Sequence, residues 1–334
     1  MLSLTGAARP ITSSPGHGSS QGQGAGAAAA ADGRLAKGPG LRFPEVCIVF
    51  AAVEDAAQLS GHPALASSVH GAVHRMMLQL LRCFPGSYLI RAQAGELRYL
   101  AAFTTPTAAA AWCLTVQEAS LYLPYPLELL GFPSFGVQLD VGGRLVFRGP
   151  RFKMGLAEGV PTCILPDHLG RADYHAGFVN RAARYADAAA HGGQVVTDTA
   201  LAAGILQHWR SSSSSSSGII GSSSKPLSSS DAAAAAAPAG AADEADPAPA
   251  QAAADAPAAG AAAVPVECSW LGSFMFKGSP KPVEMVCFGP VVLAGRQYPA
   301  APPSGKGARV LQRVGVMEQV AVQLPAAVRG VWAC

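Results

Sequence analysis

The chain has 334 residues, of which half are hydrophobic and only 13% are charged, and its formal net charge at pH 7 is +3. The segment 43–210 is balanced, with 12 basic and 12 acidic residues, so it shows no electrostatic footprint for nucleic acid, and we expect no nucleic-acid partner. No run of 18 uncharged apolar residues occurs, so the sequence predicts no membrane segment.

Low-complexity composition limits the part of the chain that can fold. Residues 1–42 are rich in Gly, Ala and Ser, and residues 211–265 join a serine block to an Ala/Pro block. Such stretches bury too little apolar surface to offset the entropy of ordering. We therefore predict a disordered leader over 1–42, one domain over 43–290 with a disordered insert over 211–265, and a mostly disordered tail over 291–334 in which "GARVLQRVGVMEQVAVQL" could hold a strand or helix.

The seven cysteines are scattered and include no C-x-x-C pair. We expect reduced, structural thiols, no zinc site and a cytoplasmic protein, or one at the cytosolic face of a membrane if the chain is a fragment of a larger receptor. The acid-free start of the leader also resembles an organellar transit peptide, which is the alternative to a plain disordered leader.

The first predicted elements are a strand, a helix and a hairpin. "EVCIVFAAVE" (45–54) is a short apolar run that predicts a buried strand. Apolar residues at three- and four-residue steps over 63–84 predict an amphipathic helix opened by Pro63. "YLIRAQ" and "LRYLAAF" on either side of Gly95 predict a hairpin.

The later elements alternate between helix and strand. A second helix is predicted from Thr105-Pro106, a strand at "FKMGLAEG" (152–159), and a strand at "GQVVTD" followed by a short helix capped by Asp198 or Thr199. "CSWLGSFMF" and "PVEMVCF" predict a closing hairpin around Lys277-Gly278. Two hairpins among alternating helices favour an α+β fold with a central mixed or antiparallel sheet and packed helices.

The stretch "GRADYHAGFVNRAARYADAAAHGGQVV" (170–196) carries the candidate functional residues. Asn180 and Arg184 are four apart, so on a helix they share one face. An amide and a guanidinium together offer donors to an oxyanion, and the guanidinium fork suits phosphate. Asp173, on the approach loop, can accept from an amine. The alternative is an Arg paired to a surface acid and an Asn at a helix start.

This stretch resembles the signature of class III nucleotidyl cyclases, the adenylate and guanylate cyclase family, and is most similar to the cyclase domains of green algae. The resemblance extends in family order to "CIVFAAVE", "YLIRAQAGELRYLAAF", "AAWCLTVQEA", "RFKMGLAEGVP" and "LGSFMFKGSPKPVEMVCF". It implies a ferredoxin-like core and a reaction in which the 3′ hydroxyl of ATP or GTP attacks its own α-phosphate and pyrophosphate leaves.

The resemblance also assigns residues. Asn180 and Arg184 match the pair that orients the ribose and stabilises charge at phosphorus. Asp173 matches the Asp of an adenine-selecting Lys–Asp pair, and Arg91 falls near the Lys, so the resemblance favours ATP. Lys277 matches a lysine that contacts the terminal phosphates, or it is a plain turn lysine.

The resemblance implies two metal ions, Mg²⁺ or Mn²⁺, which two aspartates hold together, and here the sequence departs from the family. Ala52 occupies the first metal position and has no lone pair to offer. Glu54 or Asp55 could reach in from the same strand, and Glu96 is the nearest match to the second aspartate.

Family members act as dimers with the site split across the interface. The chain is therefore expected to be a homodimer or, since one half of the site is damaged at Ala52, a heterodimer with a domain bearing both aspartates. The resemblance implies either an adenylate cyclase that needs such a partner, or a catalytically inactive homologue that binds nucleotide or regulates another cyclase.

Overall fold

A computed structural model describes residues 43–166, 170–216, 263–300 and 307–328. The predicted leader (1–42) and most of the predicted insert (217–262) lie outside the described residues. The strands are β1 (Val46–Val53), β2 (Tyr88–Gln93), β3 (Arg98–Phe103), β4 (Gln138–Leu139), β5 (Leu145–Phe147), β6 (Phe152–Gly159), β7 (Cys163–Pro166), β8 (Ala172–His175), β9 (Val195–Asp198), β10 (Val264–Phe276), β11 (Val283–Pro290), β12 (Gly307–Leu311) and β13 (Val316–Val322). The helices are α1 (Pro63–Leu81), α2 (Pro106–Ala119), α3 (Leu127–Leu130), α4 (Gly177–Ala188) and α5 (Thr199–Ser216).

Nine strands form one mixed sheet in the order β12-β10-β11-β9-β6-β1-β3-β2, with β13 also paired to β10. Only the β6–β9 pair is parallel among these ladders. The prediction of an α+β fold around a mixed sheet is confirmed. The hairpins β4–β5 and β7–β8 stand apart from this sheet.

The two faces of the sheet carry different helices. Apolar side chains of α1, α2 and α5 pack with the inner residues of β1 and β3 into the larger core. On the opposite face α4 packs with Ile48, Ala157 and Phe274 into a second, smaller core. Phe50 and Leu100 lie on this second face and remain half-exposed. The second face is therefore only partly covered by the helix that carries the candidate residues.

The close packing of α4 depends on a glycine of β6. A Cβ atom at Gly155 would lie 2.2 Å from the Ala182 carbonyl oxygen and 2.6 Å from the Ala186 nitrogen. Because Gly155 has no side chain and α4 presents alanines, the helix backbone lies directly on the strand. The sheet thereby fixes the position of every side chain on the outer face of α4.

Two predicted boundaries differ from the structure. The domain does not stop at residue 290, because β12 and β13 of the predicted tail both pair with β10. The predicted insert begins too early, because α5 continues through the serines to Ser216. Ser211 and Ser212 donate to carbonyls four residues back, at 3.0 Å each, which keeps these hydroxyls within the helix.

Near the motif, the predicted location of Asp173 was wrong, and the structure decides between the two residues proposed to cap α5. Asp173 does not lie in a loop but in β8, paired with Leu165 of β7. Asp198, and not Thr199, caps α5, since its Oδ1 accepts from the Leu201 N–H at 2.9 Å. Among the described residues, no helix is long and apolar enough to cross a membrane.

Candidate functional site

Arg91 and Asp173 meet across two strands that are far apart in sequence. Arg91 of β2 donates from Nη2 to Asp173 Oδ2 of β8. The Tyr88 hydroxyl fixes the same two elements by donating to the Ala172 carbonyl at 2.6 Å. His175 Nε2 lies 3.6 Å from the same carboxylate oxygen. The two residues that the sequence assigned to the base-selecting pair are thus brought into direct contact.

The second oxygen of Asp173 is an acceptor without a donor. The Asp173 side chain is only 14% exposed, and its Oδ1 is buried with no hydrogen-bond partner among the described residues. Leaving such an oxygen unsatisfied typically costs 1–3 kcal/mol, roughly, so a donor supplied by a ligand would be stabilising. An amine is the simplest group that meets this requirement.

Asn180 lies across a small cavity from Arg91. It is on the exposed face of α4, one turn before Arg184. The cavity has a volume of about 180 Å³ and is open to solvent. Besides Arg91 and Asn180, its walls are Phe50, Gln93, Arg98, Tyr99, Leu100, Val179 and Ala183. It combines an apolar floor from the second face of the sheet with several polar donors around the rim.

Arg184 lies beside the turn that contains Lys277. A Cβ atom at Gly278, in the turn between β10 and β11, would lie 3.7 Å from Arg184 Nη1. Lys277 precedes this glycine and is exposed, as Arg184 is. Neither forms an ion pair with another described residue. Two cations without carboxylate partners suit an anionic group.

The donors at the expected metal position do not fit a divalent cation. Ala52 is buried and faces Arg98 of β3 and Lys153 of β6 across the two ladders. Glu96 pairs with Arg98 at the surface. The described residues contain no group of three or more His, Cys, Asp or Glu side chains that could hold a metal. Mg²⁺ prefers oxygen ligands, and the side chains nearest Ala52 are cationic.

The two alternative ligands have other partners as well. Glu54 Oε1 lies 3.4 Å from His191 Nδ1 in the loop after α4. Burial would raise the pKa of Glu54, but hydrogen bonds from His191 and the Gly192 backbone, with the charge of Lys153, hold it below its ordinary value. Asp55 accepts a hydrogen bond from the Ser134 hydroxyl. Both carboxylates are therefore used within the fold.

Arg98 is the site residue that sequence reasoning missed. It lines the same cavity as Arg91 and Asn180, and its ladder neighbours are Ala52 on one side and Gln93 on the other. The alternation of β3 puts Arg98 on the face of Leu100, which the sequence does show. Its position opposite Ala52 depends on the register between β1 and β3, which no local sequence pattern determines.

Comparisons with known proteins show what the chain is similar to in sequence and fold. No family model matches the chain. The adenylate cyclase of Mycosarcoma maydis is 30% identical over 155 residues, which is 46% of this chain and 6% of that protein. The adenylate cyclase of Podospora anserina is 28% identical over 169 residues, 49% of this chain and 8% of that protein. The chain thus spans less than a tenth of the length of these curated relatives.

Solved structures show the same fold. Two structures of adenylate cyclases from Trypanosoma brucei, described in their monomeric state, match with TM-scores of 0.51 and 0.50 at 18% identity. The matches cover 85% and 79% of this chain and 99% and 96% of those chains. The fold is that of an adenylate cyclase domain. Together with the curated relatives, it confirms the resemblance to class III adenylate and guanylate cyclase catalytic domains. The closer similarity to green-algal domains stays a prediction.

Proposed function

We propose that this chain supplies one half of an adenylate cyclase site and needs a metal-bearing partner domain for the other half. The proposal rests on a contrast among the chain's own residues. Those expected to bind the nucleotide are present, whereas the first expected metal aspartate is absent. Arg91 and Asn180 line one cavity, Asp173 contacts Arg91, and Arg184 follows Asn180 by one helical turn, whereas the expected metal position is Ala52. The partner would contribute the metal-binding carboxylates, in a heterodimer or through association with a larger cyclase. A homodimer would have the same defect in both sites.

The purine is proposed to lie against Arg91 and Asp173. The buried Oδ1 of Asp173 needs a donor, and the exocyclic amine of adenine is one. Arg91 then donates to a ring nitrogen, while Phe50 and Leu100 offer apolar surface to the ring. Guanine presents a carbonyl where adenine presents its amine, and that oxygen would face the Asp173 carboxylate. ATP is therefore the favoured substrate over GTP.

Asn180, Arg184 and Lys277 are proposed to act on the ribose and the phosphates. The 3′ oxygen forms a bond to the α-phosphorus, its proton leaves to solvent or a base, and the bond from that phosphorus to the β-phosphate bridging oxygen breaks to release pyrophosphate. Asn180 orients the ribose by hydrogen bonding, and Arg184 donates to the oxygens on which negative charge develops. One such donor is typically worth about 3 kcal/mol of transition-state stabilisation. Lys277 contacts the terminal phosphates.

The proposal is tested by reconstitution. The purified chain is mixed with a cyclase half that has both metal aspartates but lacks the Asn/Arg pair, and cyclic AMP formed from ATP is measured. We expect activity in the mixture and not in the chain alone, and a loss of about 10²–10³-fold for Arg184→Ala. The matched control is Arg181→Ala, an exposed arginine of the same helix that contacts the Glu158 carbonyl and should leave the rate unchanged. A robust rate from the chain alone would contradict the proposal.

The second candidate is a catalytically inactive homologue that binds nucleotide or regulates another cyclase. Ala52 and its two cationic neighbours favour this candidate. Arg184 favours the enzyme, because a scaffold has no need of a guanidinium without an acidic partner. If no combination with a metal-bearing half gives cyclic AMP, yet the chain binds the other half, the regulatory function is the better account.

A further inference from the structure

Two cations flank Ala52 on the second face of the sheet. Residues directly opposite each other in an antiparallel pair have Cβ atoms about 4.5–5.5 Å apart on the same face. Ala52 is opposite Arg98 on one side and Lys153 on the other. Directly beside Ala52 the two ladders thus place two basic residues and no carboxylate.

The two cations differ in how tightly they are held. Lys153 Nζ lies 3.3 Å from Asp187 Oδ1, and both side chains are mostly buried, at 16% and 15% exposure. Arg98 and Glu96 are paired at the surface, at 39% and 58% exposure. Exposed pairs of this kind contribute little to stability and exchange partners readily. Lys153 therefore stays paired with Asp187 of α4, whereas Arg98 can exchange Glu96 for another anion.

The Arg98 guanidinium already lines the cavity of Arg91 and Asn180. Gln93, its other ladder neighbour, adds an amide donor on the same rim. Arg91 stays paired with Asp173, so an anion at Arg98 would meet the Arg98 guanidinium and the Gln93 amide. Charge-assisted hydrogen bonds from arginine to phosphate are among the stronger polar contacts in proteins.

We propose that Arg98 binds a phosphate group of the nucleotide directly, in place of a metal ion, and that Glu96 is its exchangeable counter-ion and not a metal ligand. The chain then binds polyphosphate without a divalent cation, and the incoming phosphate displaces Glu96 from Arg98. The claim that the natural ligand is a nucleotide rests on the proposed function. The anion site itself rests on Arg98, Glu96 and Ala52 alone.

The substitution Glu96→Gln distinguishes a counter-ion of Arg98 from a metal ligand, because it removes the charge of the side chain and keeps its shape. Binding of tripolyphosphate and of ATP is measured by calorimetry in EDTA for the wild type, Glu96→Gln, Arg98→Ala and Arg98→Lys. We expect about two- to fivefold tighter binding for Glu96→Gln, since the competing carboxylate is gone. Arg98→Ala should weaken binding about tenfold, and Arg98→Lys should restore part of it.

One variant serves as the control for binding of both tripolyphosphate and ATP. Arg75→Ala removes an exposed arginine of α1, on the other face of the sheet, and should change nothing. Binding that appears only with Mg²⁺, or that Arg98→Ala leaves unchanged, overturns the proposal. So does Mn²⁺ binding by the wild type that Glu96→Gln abolishes. Failure of the reconstituted cyclase with intact binding in EDTA would count against the proposed function and not against this site.

Discussion

Glu54 illustrates how one carboxylate can match a functional pattern and serve the fold. It follows Ala52 by two residues, so its position directly after β1 suggests a ligand. Its backbone N–H donates to the Arg151 carbonyl at 2.9 Å, and its side chain contacts the loop that contains His191 and Gly192. Glu54 therefore joins the end of β1 to the start of β6 and to the loop after α4.

The lowered pKa of Glu54 makes its contribution depend on pH. A carboxyl with a pKa depressed by folding stabilises the native state above its unfolded pKa, and this stabilisation is lost as the pH falls through the folded pKa. We expect Glu54→Gln to reduce the free energy of unfolding by about 1–2 kcal/mol at pH 7. Urea unfolding at pH 7 and near pH 4 should show this difference shrink in acid. A difference independent of pH would mean that the charge of Glu54 is unimportant.

At the same scale, sequence reasoning reached some site residues and not others. Arg91, Asp173 and Asn180 were assigned by resemblance, and they surround or adjoin one cavity in the structure. Arg98 was missed because its position beside Ala52 depends on strand register. The pairing of Lys153 with Asp187 was invisible for the same reason, since it joins a strand to a helix over 34 positions of sequence.

At the scale of elements, the contact between α4 and β6 is the tightest constraint on the site. We expect Gly155→Ala to destabilise the domain by about 1–3 kcal/mol, because the new Cβ meets helix backbone that cannot rotate away. Gly204→Ala in α5 is the matched control, since nothing lies within 4 Å of its Cβ position. That change should stabilise by about 0.5–1 kcal/mol. Thermal unfolding of both variants checks the prediction, and equal effects would contradict it.

The order of the longer strands and helices up to residue 290 could be predicted because those elements are clearly patterned, whereas the short elements α3, β4, β5, β7 and β8 were missed. Long apolar strands such as β1 and β6 are buried on both faces, and α1 has a regular apolar stripe. The strands β12 and β13 could not be predicted with the same clarity. Each is covered on one face only, and polar or charged residues interrupt both. Their pairing with β10 supplies the structure that local composition does not.

At the scale of the whole molecule, residues 307–328 contribute to the main core. Val320 and Val322 of β13 are buried with the residues of α5, and Arg210 of α5 pairs with Glu318. Val328 is also buried, and it is the third such residue among the described positions 307–328. The domain is thus closed by a part of the chain that its composition assigned to a tail.

A pair of valines in β13 tests this assignment. Val322→Ala removes two buried methyl groups and should lower the free energy of unfolding by about 2 kcal/mol. Val316→Ala, at a side chain that is 53% exposed, should change it by less than about 0.5 kcal/mol. Chemical denaturation of the two variants measures the difference. Small effects of both substitutions would show that β13 contributes little to the stability of the core.

The long strand β10 explains what trimming the protein would do. One of its edges pairs with β11, and the other is shared between β13 along the first half and β12 along the second, on either side of the bulge at Gly272. A chain cut at residue 290 would leave that second edge open as a row of unused backbone donors and acceptors. Open edges of this kind recruit strands from other molecules. Recombinant fragments that end there should collect as insoluble aggregates, whereas those that extend past residue 328 should not.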